Sequence, residues 1–196
     1  MSLKAQKIGL YFGSFNPIHI GHLIIANHFL NFSDLDQLWF VISPHSPFKE
    51  KKSLLEDHHR LNMVKIAIDD NSKFRASDIE FSLPQPSFTV HTLAALTEKY
   101  PEKRFQLVMG SDNLIGFERW KNYEEIINNY RILVYPRPGR SESALINHPQ
   151  VSIVKAPLME ISSSFIRKCI AEGISVQYLV KPEVRNYIDE MNFYKD

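Results

Sequence analysis

The alternation of strand-like and helix-like segments is the feature that most constrains the fold of this chain. Residues 8–12 are apolar and predict a first strand, and residues 21–32 follow with apolar side chains at helical spacing. Such alternation is typical of a parallel sheet wrapped by helices. We therefore predict an α/β fold, a Rossmann-like doubly wound parallel sheet with helices on both faces. The other predicted strands are residues 38–43, 74–77, 105–109, 131–135 and 151–154. The other predicted helices begin at Ser53, after a cap at Ser87 or Thr89, at Ser162 and at Pro182.

Length and composition predict one domain, with residues 162–196 as its C-terminal helical part. The formal net charge of +1 argues against a nucleic-acid partner, so a few placed groups must hold any anionic ligand. The single cysteine, Cys169, excludes an intrachain disulfide and fits a reducing compartment. Because we find neither a signal-peptide pattern nor an apolar run of about 20 residues, we expect a cytoplasmic location and no membrane partner. The sequence leaves open whether the chain forms a homo-oligomer.

The junction after the first strand, residues 13–22, carries the clearest chemical signal. Backbone N–H groups at the start of a helix lack intrahelical partners and attract anions. Gly13 permits a sharp turn, and Gly21 is expected to leave room for a bulky group such as a nucleotide. His19 and His22, three residues apart, would share one helix face. The junction therefore predicts a phosphate-binding site.

The order of motifs resembles a known superfamily. A strand, a glycine turn and the run His19-Ile20-Gly21-His22 are similar to the nucleotidyltransferase superfamily, and the same letters occur in class I aminoacyl-tRNA synthetases. The synthetases also need a lysine-rich loop and an RNA-binding module, whereas the corresponding place here holds the serine-rich residues 161–167. That segment resembles the second motif of the small adenylyltransferases, specifically of the nicotinate-nucleotide adenylyltransferase family.

The resemblance extends over nearly the whole chain. Two departures stand out: Ser14 and Asn16 replace the family's usual glycine or threonine and its usual aspartate, and Lys181 interrupts a leucine-proline segment. We therefore transfer no charge-based role to Asn16. The matching segments, in family order, are residues 13–22, 44–49, 87–90, 110–112, 117–120, 136–139 and 161–167.

The resemblance implies a reaction that joins nicotinic acid mononucleotide to ATP, giving nicotinic acid adenine dinucleotide and pyrophosphate, in NAD biosynthesis. The attacking phosphate, with a second pKa near ~6, is already largely ionised at neutral pH. Direct in-line transfer would therefore need no strong base and no covalent enzyme intermediate, only placement of the substrates and stabilisation of charge. His19 and His22 are the implied catalytic residues, as hydrogen-bond donors that are cationic or neutral.

The resemblance also implies the binding residues. Mg²⁺ would bridge ATP oxygens, held by phosphate and water, so no protein ligand to a metal is expected. The guanidinium of Arg167 suits bidentate contact with phosphate. The ATP-binding residues implied are Phe12, Gly13, Ser14, His19, His22, Ser162, Ser163, Ser164 and Arg167, and the nicotinate-nucleotide-binding residues are Lys49, Thr89, Asp112 and Trp120.

Other interpretations stay open at this point. The chain could be another member of the superfamily, acting on nicotinamide mononucleotide or phosphopantetheine, or a non-catalytic nucleotide sensor of the same fold. A metal-dependent hydrolase is disfavoured because the histidines form no zinc signature, and His58 with His59 is interpreted as a solvated helix face. Simple structural roles also compete: caps for the three serines and Asp112, core packing for Trp120, and a solvated loop for Lys49.

Overall fold

The computed structural model describes residues 5–44, 54–137 and 143–195. Its strands form one sheet in the spatial order β3-β2-β1-β4-β5-β6, and every neighbouring pair runs parallel. This is the strand order of a doubly wound Rossmann sheet, so the predicted fold class is confirmed. The strands are β1 Gln6–Gly13, β2 Gln37–Ile42, β3 Phe74–Ser77, β4 Lys103–Gly110, β5 Arg131–Tyr135 and β6 Val151–Ile153.

The helices connect the strands and close the chain. The two short helices α4 and α5, of 5 and 7 residues, were not predicted, because so few residues show no helical period. No helix in the described part of the chain combines the length and the apolar character that crossing a membrane requires. The helices are α1 Ile20–Phe32, α2 Asp57–Ile68, α3 Thr89–Lys99, α4 Ser111–Ile115, α5 Tyr123–Asn129, α6 Ser163–Ala171 and α7 Pro182–Glu190.

Two helix starts differ from the prediction. The N-cap of α3 is Phe88, which has no side-chain cap, so the prediction of Ser87 or Thr89 as cap is wrong. The Ser87 hydroxyl instead donates to the buried carboxylate of Glu80, 3.1 Å away. The N-cap of α2 is Glu56, and Ser53 lies outside the described residues.

Both faces of the sheet are buried. β1 directs Ile8 and Leu10 to one face and Tyr11 to the other. Helices α1, α2, α6 and α7 supply buried side chains to the Tyr11 face, whereas α3, α4 and α5 supply them to the Ile8 face. Cys169 is buried in the first of these cores. The strand order reverses between β1 and β4, which makes the carboxyl edge of these two strands the expected place for a ligand.

Candidate active site

A cleft of about 780 Å³ opens at the carboxyl edge of β1, β4 and β5. Ligand pockets for small molecules commonly have volumes in this range. The cleft brings together the residues expected at the ATP site, although their separate roles stay predictions. Those lining it are Phe12, Gly13, Ser14, His19, His22, Ser162, Ser163, Ser164 and Arg167, with Asp112 on the opposite wall.

The two glycines of the junction make room for protein side chains. A Cβ on Gly13 would come within 2.8 Å of the ring of Phe15, a fully buried residue with φ of 45°. A Cβ on Gly21 would lie 3.1 Å from His19 Nδ1. Gly21 lies in the cleft lining between the two histidines, and its missing side chain leaves space for the His19 imidazole as well; that a nucleotide uses this space stays a prediction.

The histidine pair is built into the start of α1. His19 is the N-cap residue, and its ring stacks on that of His22 with centroids 3.7 Å apart and an interplanar angle of 23°. The backbone N–H of His19 donates to His22 Nδ1 at 3.3 Å. Because this nitrogen accepts, we assign the proton of a neutral His22 to Nε2. His22 thus has the tautomer that offers a donor at the far side of its ring.

Burial fixes the charge state of His19. Its side chain is 5% exposed, and this burial, with the positive charge of Arg137, lowers its pKa to about 4. His19 Nδ1 has no hydrogen-bond partner among the described residues. The imidazole is therefore neutral near pH 7, which decides between the cationic and neutral forms that the sequence left open.

We expect the pH dependence of stability to report this burial. His19 keeps an ordinary pKa of 6.5 in the unfolded chain and about 4 in the folded protein, so the unfolded chain binds the extra proton between these values. The free energy of unfolding therefore falls as the pH falls through this interval, by about 3 kcal/mol in total, with no contribution above it. Between about pH 7 and about pH 4.5, the free energy of unfolding measured in urea should fall less for His19→Asn than for the wild type. Equal losses would contradict the assignment.

Arg60 is a fully buried arginine that the sequence analysis missed. It donates to the carbonyl oxygens of Ser14 at 2.7 Å, Ser43 at 2.9 Å and Leu55 at 2.9 Å. Its remaining nitrogen pairs with the carboxylate of Asp57. These contacts join the backbone after β1, the backbone after β2 and the start of α2. Arg60 therefore positions one wall of the cleft without lining it.

Asn16 is the residue at which the chain departs from the family pattern, and it is 3% exposed. Its Oδ1 accepts hydrogen bonds from the Tyr194 hydroxyl at 2.7 Å and the Leu55 backbone N–H at 3.3 Å. Its backbone carbonyl accepts from Arg167 Nη1 at 2.8 Å. Both side-chain contacts require only an acceptor, which a neutral amide supplies. Asn16 thus connects the junction to α6 and to the residues that follow α7.

The serine-rich segment holds α6 against the junction. Ser162 is the N-cap of α6, and its Oγ accepts from a backbone N–H of the first turn at 3.2 Å. The Ser163 hydroxyl donates to the carbonyl of Pro17 at 2.9 Å, and Ser164 Oγ accepts from Arg167 Nη2 at 3.4 Å. The simple capping role considered for Ser162 is therefore present, and Ser163 connects two segments that are distant in sequence.

Asp112 and Arg137 form the opposite wall. Arg137 Nε lies 3.4 Å from Asp112 Oδ1, and Arg137 Nη2 donates to the Tyr135 hydroxyl at 2.9 Å. Asp112 Oδ1 is buried and accepts no hydrogen bond from the described residues, so a ligand hydroxyl could donate to it. A Cβ on Gly110 would lie 2.3 Å from this oxygen, which explains the glycine. The sequence analysis identified the loop that contains Arg137 as a matching family segment, but it did not predict a role for the Arg137 side chain.

Two of the predicted nicotinate-nucleotide-binding residues, Thr89 and Trp120, are described and lie apart from the cleft lining. Lys49 lies outside the described residues. Thr89 begins α3 at the carboxyl edge of the sheet, since connecting helices run opposite to parallel strands. Lys121 Nζ lies 4.6 Å from the ring centroid of Phe88. The Trp120 segment therefore adjoins the start of α3, at the edge that also carries the cleft.

The fold and the cleft together define the class of the protein. A doubly wound sheet, a histidine pair opening the first helix and an arginine on a facing helix are the combination expected of a nucleotidyltransferase. Residues 10–169 match the model of the cytidylyltransferase-like family. Two relatives called probable nicotinate-nucleotide adenylyltransferase are 54% identical (Flavobacterium psychrophilum) and 55% identical (Flavobacterium johnsoniae), each over 97% of this chain and 100% of the relative.

A solved structure agrees with these relatives. The Plasmodium falciparum nicotinic acid mononucleotide adenylyltransferase complexed with NaAD is similar, with a TM-score of 0.82, 26% identity, and coverage of 96% of this chain and 97% of that one. The same enzyme complexed with APC gives a TM-score of 0.80. The chain belongs to the cytidylyltransferase-like family and, within it, to the nicotinate-nucleotide adenylyltransferases.

Proposed function

We propose that the chain transfers the adenylyl group of ATP to nicotinic acid mononucleotide, releasing pyrophosphate and forming nicotinic acid adenine dinucleotide for NAD biosynthesis. The observation that carries this proposal is the contact between the junction and α6, where Arg167 Nη1 binds the carbonyl of Asn16, 151 residues earlier. This contact brings the starts of α1 and α6 to one cleft, and because helix starts favour phosphate, it supports the proposal. The similar Plasmodium falciparum enzyme holds the corresponding dinucleotide.

The chemistry follows from the charges in the cleft. A phosphate oxygen of the mononucleotide forms a bond to the α-phosphorus of ATP, and the bond from that phosphorus to the bridging oxygen breaks as pyrophosphate leaves. His19, in its neutral form, and His22 donate hydrogen bonds to the α-phosphoryl oxygens, where charge develops, and Arg167 contacts the leaving phosphates. The attacking phosphate is already ionised, so neither histidine removes a proton.

The cleft fits a divalent ion that arrives with ATP, and we propose Mg²⁺. Among the described residues, two carboxylates line the cleft, Asp112 and Glu160, and Arg137 already pairs with the first. Phosphate oxygens and waters would therefore supply most ligands, as Mg²⁺ prefers. When bound, the ion neutralises charge on the phosphates.

For the second substrate, the start of α3 is the proposed nicotinate pocket. No side chain caps this helix and no acidic residue lies in its first turn, so its N–H groups favour a carboxylate over a neutral amide. Thr89 lies at this start, and Trp120 is proposed to stack on the pyridine ring. Asp112 would accept a hydrogen bond from a ribose hydroxyl, and Lys49 would contact the mononucleotide phosphate.

A panel of acceptors tests the proposal. Pyrophosphate release from ATP is measured with nicotinic acid mononucleotide, nicotinamide mononucleotide, phosphopantetheine and glycerol phosphate in turn. We expect the first to give the highest kcat/KM. Turnover with phosphopantetheine or glycerol phosphate alone would refute the substrate and retain the superfamily. ATP binding by calorimetry without pyrophosphate release from any acceptor would instead establish a nucleotide sensor.

The phosphate role of Arg167 has its own test. Removing a charge-assisted hydrogen bond costs about 1.5–3 kcal/mol, so Arg167→Ala should raise the KM for ATP by about tenfold or more, with a smaller change in kcat. Lys168→Ala, an exposed neighbour on α6, is the matched control and should leave the KM unchanged. Steady-state kinetics at varied ATP measures both variants. An unaltered KM in Arg167→Ala would remove this residue from the ATP site.

A further inference from the structure

A second group of polar side chains lies outside the cleft, at the start of α2. Glu56, His58 and His59 each place one potential metal-ligand atom within 4.8 Å of the others. Glu56 Oε2 and His58 Nδ1 are 3.3 Å apart. Two ligands on a tetrahedral zinc ion, each at about 2.0–2.1 Å, are separated by about 3.3 Å. The two atoms therefore already have the spacing of neighbouring zinc ligands.

A second contact orients the third ligand. His59 Nδ1 lies 2.8 Å from the hydroxyl of Tyr187 on α7, and the Phe193 ring lies 4.7 Å from the imidazole. If Nδ1 donates to the tyrosine, Nε2 carries the lone pair that a metal needs. Histidines that bind metals commonly make such a second hydrogen bond, which fixes the tautomer and the ring orientation. Tyr187 and Phe193 thus supply the support expected around a metal-binding histidine.

We propose that Glu56, His58 and His59 bind a divalent transition-metal ion of the zinc type, with water completing the coordination. Two imidazoles and one carboxylate suit zinc, whereas magnesium and calcium prefer oxygen ligands alone. The positive end of α2 opposes a cation, and the Glu56 carboxylate at the N-cap offsets this effect. Glu56 and His58 are exposed, so an ion reaches them from solvent.

The bound ion has a structural consequence. Glu56 follows Leu55, whose backbone binds Asn16 and Arg60, and His59 contacts α7 through Tyr187. An ion held by residues 56, 58 and 59 restrains the start of α2 where it meets α7. An ion that binds the folded protein and not the unfolded chain raises the unfolding temperature. This site is independent of adenylyl transfer.

Binding of zinc to tag-free, chelator-treated protein tests the proposal. Calorimetry with zinc chloride should give one site per chain, and cobalt should give the visible absorption of a nitrogen-ligated tetrahedral ion. His58→Ala and Glu56→Gln should each weaken zinc binding at least about tenfold, and Tyr187→Phe, which removes only the supporting hydroxyl, should weaken it by about tenfold. Zinc should raise the unfolding temperature of the wild type and not that of His58→Ala.

His91→Ala is the matched control, because His91 is an exposed histidine on another helix, and it should bind zinc as the wild type does. Three results would overturn the proposal: no saturable binding, equal loss in His91→Ala, or binding that survives both His58→Ala and Glu56→Gln. In the last case the ion occupies other groups, such as the histidine pair of the cleft.

Discussion

Replacement of His22 with alanine is expected to lower kcat about a hundredfold to a thousandfold, the usual effect of removing one donor to a developing oxyanion. His19→Ala should have a comparable effect. ATP binding should change much less in both variants, because the donors serve charge that develops only in the transition state. The measurements are kcat from pyrophosphate release and the ATP dissociation constant from calorimetry.

The neutral state of His19 refines this expectation. With its pKa lowered to about 4, His19 acts as a donor at every pH near neutrality. His28, on the same helix, stacks on Phe32 away from the cleft, so His28→Ala is the control and should keep the wild-type kcat. A kcat unchanged in His22→Ala or His19→Ala would remove that histidine from the mechanism. Loss of folding is checked by urea unfolding of each variant.

Arg60→Met is expected to lower the free energy of unfolding by about 3–5 kcal/mol, the cost of breaking a buried charged network. The reason is that Arg60 satisfies the carbonyls of Ser14, Ser43 and Leu55, and methionine leaves these acceptors without their donor. Arg60→Lys should restore only part of the lost free energy of unfolding, since one ammonium group cannot reach all the carbonyls that the guanidinium contacts. Urea unfolding measures all three proteins.

The control for this prediction is Lys65→Met, which removes a charge from the exposed face of the same helix. Its unfolding free energy should stay within about 0.5 kcal/mol of the wild type. If Arg60→Met unfolds at the wild-type urea concentration, the buried network does not stabilise the fold. A variant that folds but binds ATP weakly would separate the positioning role from the stabilising one.

The architecture could be predicted from the sequence because the spacing of apolar residues distinguishes strands from helices. All six strands lie where apolar runs placed them, with ends shifted by at most two residues. The junction and the serine-rich segment were also recognisable, because glycine, histidine and serine occur there in a fixed order. Their meeting in one cleft followed from the resemblance, and the lining residues agree with it.

Other features depend on tertiary contacts that no local pattern carries. Arg60 was missed although the sequence held a signal: it occupies the buried stripe of α2 with Met63, Val64 and Ala67, where an apolar residue is expected. A charge in such a stripe indicates buried partners. The contact between Gly21 and His19 was likewise not predictable, because only the folded rotamer of His19 shows that its imidazole packs beside this glycine.

The hydrogen bond between Tyr194 and Asn16 spans 178 residues of sequence. During synthesis, the junction is made early, and the Tyr194 hydroxyl that donates to it is added 178 residues later. A nascent chain that stops short of residue 194 thus lacks the hydroxyl that donates to Asn16 Oδ1. The junction therefore gains its contact with the residues that follow α7 only late in synthesis, after Tyr194 has been added.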